Sequence, residues 1–222
     1  MGLNNTNGNM YEWATHTWNT IKVQCYHNCE YCYMKRWGNL PAIHFDEKEL
    51  QTNLGQDNTI FVGSSNDMFA NEIPEEWIYH TIQHCEKFSN TYVFQSKNPE
   101  RMVLWDMQIS CKSIFGTTIE TNRDYHLLSK APEPKERALH ISKISPESKT
   151  FITIEPIMDF DLEPFTEMII DAKPSFVNIG ADSKGCKLPE PGWGKVSALI
   201  QKIQEAGIEI RQKSNLKRLK EK

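Results

Sequence analysis

Short apolar runs alternate with amphipathic stretches along most of the chain. The runs are three to five residues long, rich in β-branched and aromatic residues, and bounded by polar ones. This pattern is typical of strands that are buried on both faces of a sheet. It predicts seven strands, at residues 20–23, 59–62, 91–94, 113–115, 150–154, 175–179 and 208–210.

The stretches between these runs predict helices, because most of them open with proline or with acidic residues that suit a helix N-terminus. The helices are expected to begin near Asp46, Pro74, Pro99, Pro134, Asp161 and Gly194. In the second of them, apolar residues recur at the spacing that buries one face of a helix. Gly207 suits the end of the last helix.

Strands that alternate with helices predict a parallel sheet with right-handed crossovers. A complete eightfold barrel typically needs about 250 residues, whereas this chain has 222. We therefore expect an α/β fold, an incomplete TIM-like β/α barrel with six to seven parallel strands. A flat, doubly wound sheet is the alternative, since the pattern alone does not decide whether a sheet closes.

Composition limits the class of protein. Apolar residues make up 39% of the chain, enough for a large core, and the net charge of −4 neither requires nor excludes a nucleic-acid partner. No apolar run is long enough to span a membrane, and the first residues do not resemble a secretory signal. We expect a single domain over residues 1–222, with flexible tails at 1–12 and 214–222, in the cytoplasm.

In either architecture, ligands bind at the carboxyl ends of the strands. The predicted strands run into polar segments there, at residues 63–67, 95–97, 116–120, 155–156, 180–183 and 211–213. A barrel with a purely structural role would not need acids, lysines and an arginine at one end. The pattern therefore predicts an active site at these strand ends.

Three closely spaced cysteines are the strongest indication of a metal or cluster site. Cys25, Cys29 and Cys32 read C-x3-C-x2-C after the first predicted strand, a match expected by chance only about 0.004 times. A zinc site would need a fourth ligand, such as His27 or His44. A disulfide framework does not suit the cytoplasm. An iron–sulfur cluster on three thiolates would leave one iron open for a substrate.

This motif, in this position, resembles the signature of the radical S-adenosylmethionine (SAM) superfamily. Tyr31 stands before the third cysteine, where that signature has an aromatic residue. Further along, the segments FVGSSNDMFANEIPEEWI, VFQSKNPERM, TIEPIMDF and VNIGADS are similar, in the same order, to blocks of a family of short radical-SAM-like proteins of phages and prophages. That family is distantly similar to spore photoproduct lyase. This chain departs from it in its compact cysteine spacing and in the loop at 180–185.

The resemblance implies roles for particular residues. Cys25, Cys29 and Cys32 would hold a [4Fe-4S] cluster, and SAM would complete it through its amino and carboxylate groups. The residues expected to contact SAM are Tyr31, Ser64, Ser65, Asn66, Asp67, Ser96, Thr118, Glu120 and Glu155. The catalytic candidates are Lys97, Glu155 and Cys186, with the Cys186 thiol as a hydrogen donor to a product radical.

Several of these residues have a structural alternative that the sequence leaves open. Residues 63–67 are also typical of an ordinary turn, and Lys97 of a solvated surface side chain. A partly buried carboxylate at Glu155 would need a partner, and Arg211 or Lys213 can supply it.

The implied function is a radical SAM enzyme of isomerase or lyase type, which cleaves SAM reductively and abstracts hydrogen from its substrate. The expected substrate is a modified nucleobase or nucleotide of phage DNA, in a host cytoplasm if the chain is phage-encoded. The expected partners are SAM and a one-electron reductant of the flavodoxin or ferredoxin type, and no membrane. Trp13, Trp18 and the basic C-terminus are candidate nucleic-acid contacts. The alternatives are an electron-transfer or sensing protein with a cluster, and a zinc-binding structural module.

Overall fold

The computed structural model describes residues 2–6 and 10–221 of the chain. Its strands are β1 (Asn4–Asn5), β2 (His16–Trp18), β3 (Ile21–Lys22), β4 (His44–Phe45), β5 (Thr59–Val62), β6 (Thr91–Ser96), β7 (Ser113–Thr118), β8 (Lys149–Ile154), β9 (Phe176–Ile179) and β10 (Glu209–Gln212). Its helices are α1 (Glu75–Cys85), α2 (Pro99–Asp106), α3 (Pro134–Ile141), α4 (Leu162–Asp171), α5 (Trp193–Glu205) and α6 (Lys217–Lys220). Three short segments, Tyr33–Trp37, Glu47–Gln51 and Ser214–Leu216, are 3-10 helices.

Eight of the strands form one sheet in the order β1-β2-β5-β6-β7-β8-β9-β10. Strands β2 and β5 to β10 are parallel, and β1 is added antiparallel to β2. Within the described residues the two edge strands do not pair with each other, so the barrel is incomplete. This confirms the predicted α/β fold with its seven parallel strands.

The first parallel strand was predicted at the wrong segment. It is His16–Trp18, and the predicted run at 20–23 instead contributes β3, which pairs antiparallel with β4 outside the main sheet. Trp18 is fully buried, whereas Lys22 bonds to Asp46 at 2.6 Å. The alternating pattern is stronger at 20–23, but the position in the sheet follows from the tertiary burial of the tryptophan.

The two faces of the sheet pack against different partners. Because side chains alternate along a strand, Ile60 and Val62 face the large core that the helices cover, while Phe61 faces the concave side. On that side Phe61, Val93, Phe151 and Phe176 pack against Tyr11, Ala14 and Trp13. The N-terminal segment therefore fills the lower half of the barrel interior.

Both predicted tails contain packed residues in the structure. At the N-terminus β1 pairs with β2, and Tyr11 is buried. At the C-terminus Leu216 and Leu219 are buried against the main core. Their apolar side chains thus have partners that are distant in sequence, and the flexibility of 1–12 and 214–222 stays a prediction. Residues 1, 7–9 and 222 of the predicted tails lie outside the described residues.

The predicted helices begin close to the expected positions. The exception is the segment after Asp46, which is a 3-10 helix with the Asp46 carboxylate accepting from the Lys48 backbone N–H. Gly207 follows α5 with a φ of 81°, a conformation that favours glycine. Among the described helices, none combines the length and the apolar character that crossing a membrane requires.

Candidate active site

A cavity of about 670 Å³ opens at the carboxyl ends of the parallel strands, above the aromatic cluster on the concave face. Its walls include most of the predicted site residues, namely Cys25, Cys29, Cys32, Tyr31, Ser64, Ser65, Asn66, Asp67, Ser96, Lys97, Thr118 and Glu155. Two predicted site residues, Glu120 and Cys186, do not line it. The strand-end rule therefore brings together side chains that are up to 130 residues apart, Cys25 and Glu155 among them.

The three cysteines lie on one loop, residues 24–32, here called the cysteine loop. Each begins a tight turn, because its carbonyl accepts from the backbone N–H three residues on, at 3.0 to 3.2 Å. Cys29 is buried with its Sγ 3.1 Å from the Ser129 hydroxyl, while Cys25 and Cys32 are half-buried. Burial raises the pKa of the Cys25 thiol to about 12. Metal binding by Cys25 must therefore displace a proton from its thiol.

The donor set of the cysteine loop is three thiols, and the histidines considered as a fourth ligand are engaged or exposed. In residues 2–6 and 10–221, no three His, Cys, Asp or Glu side chains converge as the ligands of one ion would. His27, the nearby candidate for a fourth zinc ligand, directs its Nε2 to Asp67 at 2.8 Å. His44 is exposed on β4. Three thiols on one cavity wall, without a fourth protein ligand, suit a [4Fe-4S] cluster with one open iron.

Asp67 locks the cysteine loop to the strand ends. Its buried carboxylate faces His27 and also accepts from the Ser96 hydroxyl at 2.8 Å and the Lys97 backbone N–H at 2.6 Å. A further bond comes from the Phe69 backbone N–H. Burial by itself would raise the pKa of Asp67, but the charge and hydrogen bonds of these partners bring it below its ordinary value. Protein groups thus already occupy both oxygens that were predicted to receive the SAM ammonium.

A second buried carboxylate, Glu120, holds the other end of the loop. Its oxygens face Lys97 Nζ, Arg137 Nη1 at 2.9 Å, and the Tyr31 hydroxyl, which donates at 2.8 Å. Burial opposes ionisation, yet the two cations hold the pKa of Glu120 well below its usual range. Lys97 also lies 5.1 Å from the centre of the Tyr31 ring. Lys97 is therefore ion-paired inside the wall rather than solvated.

Ser64 and Ser65 line the cavity beside the cysteine loop, and Asn19 organises them. The Asn19 side chain accepts from the Ser65 backbone N–H and hydroxyl, each at 3.0 Å, and donates to the Ser64 hydroxyl at 3.1 Å. The Tyr33 hydroxyl donates to the Ser64 carbonyl. The Asn66 side chain also lines the cavity, and both of its buried amide atoms lack a partner. Such orphaned atoms mark a place where a polar ligand fits.

Glu155 follows β8 and lies on the wall of the cavity. Its carboxylate accepts from Lys213 Nζ and from the Asn215 amide, each at 2.7 Å. A Cβ at position 180 would lie 2.8 Å from a Glu155 oxygen, so only glycine permits this approach. Arg211 pairs with Glu209 instead. Of the two cations proposed as partners of Glu155, the structure thus selects Lys213.

Cys186 lies in the loop after β9, next to the wall formed by 181–184, but is not part of the lining. Its backbone N–H donates to the Asp182 carboxylate. Burial and the neighbouring Asp182 raise the pKa of its thiol. Its role as a hydrogen donor stays a prediction.

The sequence pointed to only part of the wall. Tyr11, Gln95 and Thr153 form its floor, because the Tyr11 hydroxyl lies 2.6 Å from both the Gln95 amide oxygen and the Thr153 hydroxyl. Gln95 was detectable as a polar residue at a strand end. Tyr11 and Arg137 were not, since they reach the site from segments that are remote from any strand end. Asn19 was missed because it follows β2, the strand that was predicted at the wrong segment.

Solved structures share this fold. A spore photoproduct lyase variant with bound AdoMet and dinucleoside spore photoproduct matches 89% of this chain and 63% of its own, with a TM-score of 0.59 and 12% identity. A second variant of that enzyme matches 92% of this chain and 78% of its own, with a TM-score of 0.67 and 11% identity. Methylornithine synthase matches 88% and 70%, with a TM-score of 0.51 and 10% identity.

The chain thus shares a partial, TIM-like α/β barrel with these enzymes. At identities this low the likeness shows the fold alone, and the chain spans 63% of the length of the AdoMet-bound lyase. No protein-family model and no curated protein sequence matches the chain.

Proposed function

We propose that this protein is a radical SAM enzyme. The observation that carries the proposal is that all three thiols of C-x3-C-x2-C line the cavity at the carboxyl ends of a partial parallel barrel. Spore photoproduct lyase and methylornithine synthase, which share the fold, are radical SAM enzymes. Radical SAM chemistry is thus supported by the cysteine motif, by its position at the strand ends and by the fold.

Cys25, Cys29 and Cys32 would hold a [4Fe-4S] cluster and leave its fourth iron to SAM. When bound, the cluster would supply the electron that splits SAM into methionine and a 5′-deoxyadenosyl radical. The residues of the chain place the reactants. Asp67 and Glu120 fix the cysteine loop at His27 and Tyr31, while Ser64, Ser65 and the unpartnered Asn66 amide offer polar contacts for SAM. The buried floor around Tyr11 excludes water below them.

We further propose that the substrate is a nucleobase or nucleotide, of phage DNA if the phage resemblance holds, and that the reaction is an isomerisation or lyase-type step. A solved structure with a similar fold has AdoMet and dinucleoside spore photoproduct bound. Lys97, Glu155 and Cys186 are the residues proposed for the chemistry, and a flavodoxin or ferredoxin would supply the electron. The rival class is an electron-transfer or sensing protein, which would hold the cluster but not cleave SAM.

Anaerobic reconstitution with iron and sulfide, followed by SAM and dithionite, tests the class of enzyme. We expect a brown protein with broad visible absorption and the appearance of 5′-deoxyadenosine. A brown protein that yields no 5′-deoxyadenosine would favour the electron-transfer alternative. A colourless protein with one tightly bound zinc would refute the proposal.

The variant Cys29→Ala should bind little iron and form no 5′-deoxyadenosine, because the cluster would lose one of its three thiolates. Cys111→Ala is the matched control, since Cys111 lies outside the cavity and packs against the main core. Iron content and 5′-deoxyadenosine are measured for both variants. Retention of the cluster and of SAM cleavage in Cys29→Ala would contradict the ligand assignment.

A further inference from the structure

The segment that follows the cysteine loop leaves its aromatic side chains uncovered. This rim segment, Tyr33–Trp37, is a 3-10 helix with no buried residue. The Trp37 side chain is 63% exposed and that of Tyr33 is 39% exposed. Aromatic side chains of this size are normally largely buried in a folded domain, and exposed groups of them mark binding surfaces.

Cations lie among these aromatic rings. The Arg36 guanidinium stacks over the Trp37 ring, 4.6 Å from its centre. Residues three apart share one side of a 3-10 helix, and Tyr33 and Arg36 both line the cavity. The exposed Lys184, on the loop after β9, lines it as well. The rim segment therefore continues directly into the candidate active site.

The acidic groups closest to these cations in sequence are engaged elsewhere. The Asp182 carboxylate accepts from the backbone N–H groups of Lys184 and Cys186 in its own loop. Glu30 pairs with Lys35 at 2.7 Å, and both side chains are exposed. Solvent-exposed pairs of this kind contribute little. Arg36 and Lys184 are thus left to act on a bound anion.

We propose that the rim segment binds single-stranded nucleic acid and leads one of its nucleotides into the cavity. Aromatic faces stack on bases of any sequence, and neighbouring cations neutralise the phosphates of the strand. An acidic protein partner would use the cations, but it would need neither an exposed indole nor a path into the cavity. Trp13 and Trp18, the aromatic candidates from the sequence, pack in the interior and cannot serve.

This inference rests on the proposed function and narrows it, because it selects a polymer rather than a free nucleotide as substrate. It also predicts strand binding that does not depend on the cluster. Binding to the rim segment needs only the folded chain, so it can be measured on the protein before and after reconstitution.

The test is fluorescence anisotropy of a labelled single-stranded oligodeoxynucleotide at several salt concentrations. Trp37→Ala should raise the Kd about tenfold or more, since stacking is lost. The binding constant falls as the salt concentration rises. In a plot of the logarithm of one against the logarithm of the other, Arg36→Ala should make the slope less steep by about 0.7, because one phosphate contact is lost. Tyr79→Ala and Lys143→Ala, which change exposed residues outside the rim segment and outside the cavity lining, should bind as the unsubstituted protein does.

Three competitors identify the partner: a duplex of the same sequence, thymidine monophosphate and polyglutamate. We expect the unlabelled single strand to displace the probe at far lower concentration than any of them. Equal binding by Trp37→Ala, or displacement by duplex, nucleotide or polyglutamate as effective as by the strand, would overturn the proposal. If the strand binds through Trp37 but SAM is not cleaved, the radical SAM proposal fails and the surface stands. If SAM is cleaved but no strand binds, the proposed binding surface fails and the radical SAM proposal stands.

Discussion

Glu120 shows how single residues build the site. Its side chain is 1% exposed and faces the charges of Lys97 and Arg137 together with the Tyr31 hydroxyl. An ionised carboxylate at such a depth is stable only with partners of this kind. The network links the cysteine loop to β6 and α3, so it positions Tyr31 although Glu120 itself does not line the cavity.

Glu120→Gln should lower the free energy of unfolding at pH 7 by about 3 kcal/mol or more, because the buried Arg137 and the half-buried Lys97 lose their counter-charge. Denaturant titration measures this loss. Glu147→Gln is the control, since Glu147 is exposed and its substitution should change stability by no more than about 0.5 kcal/mol. Equal stability of the two variants would show that the network contributes nothing.

The same carboxylate makes stability depend on pH in a definite direction. The pKa of Glu120 is lower in the folded than in the unfolded chain, so its contribution is complete above the unfolded value of about 4.3 and is lost as pH falls below it. In Glu120→Gln, the free energy of unfolding should therefore fall less steeply as the pH is lowered through this range. If the variant loses stability with falling pH in the same way as the unsubstituted protein does, other carboxylates are responsible for that loss.

Among the elements, the C-terminal segment has a role that its composition hides. After β10, Lys213 and Asn215 hold Glu155, and Arg218 donates to the Asp182 carbonyl at 2.9 Å in the loop that walls the cavity. Arg218 also bonds to Glu190 of that loop. The residues beyond β10 therefore support the wall of the candidate active site.

Leu219→Ala should lower the free energy of unfolding by about 2 to 4 kcal/mol, because a side chain that is 3% exposed leaves a cavity in the core. Hydrogen exchange should also become faster in residues 181–190, which Arg218 anchors from the same helix. Lys217→Ala, an exposed neighbour, should do neither. Unchanged exchange in 181–190 would contradict the supporting role of the segment.

For the whole molecule, the N-terminal segment decides the size of the cavity. Trp13 packs edge-on against the stacked rings of Phe151 and Phe176, with its ring centre 5.5 Å from each, and Tyr11 closes the floor above them. Gly116 allows this packing, because a Cβ there would meet the Phe151 ring at 2.2 Å. An open barrel thus has one end filled and the other available to ligands.

Trp13→Ala should destabilise the protein by about 3 kcal/mol or more, as expected when a large aromatic side chain leaves a packed interior. Trp37→Ala is the matched control, because its indole is exposed and its loss should affect strand binding but not unfolding. Thermal or denaturant unfolding of the two variants distinguishes these roles. A mild effect of Trp13→Ala would mean that the segment merely covers the barrel.

The sequence by itself determined the α/β class, six of the seven parallel strands and the three cysteines, because these depend on local periodicity and spacing. It also placed most of the cavity wall, since parallel strands bring their carboxyl ends to one side. Only the tertiary structure decided which partners these carboxylates take. Asp67 and Glu120 were predicted to contact SAM, and in the structure they bond to groups from distant segments, among them His27 and Arg137. Packing also brought Tyr11 of the predicted N-terminal tail into the wall and placed Leu216 and Leu219 of the C-terminal tail in the core, because an isolated apolar side chain shows its partner only once the chain has folded.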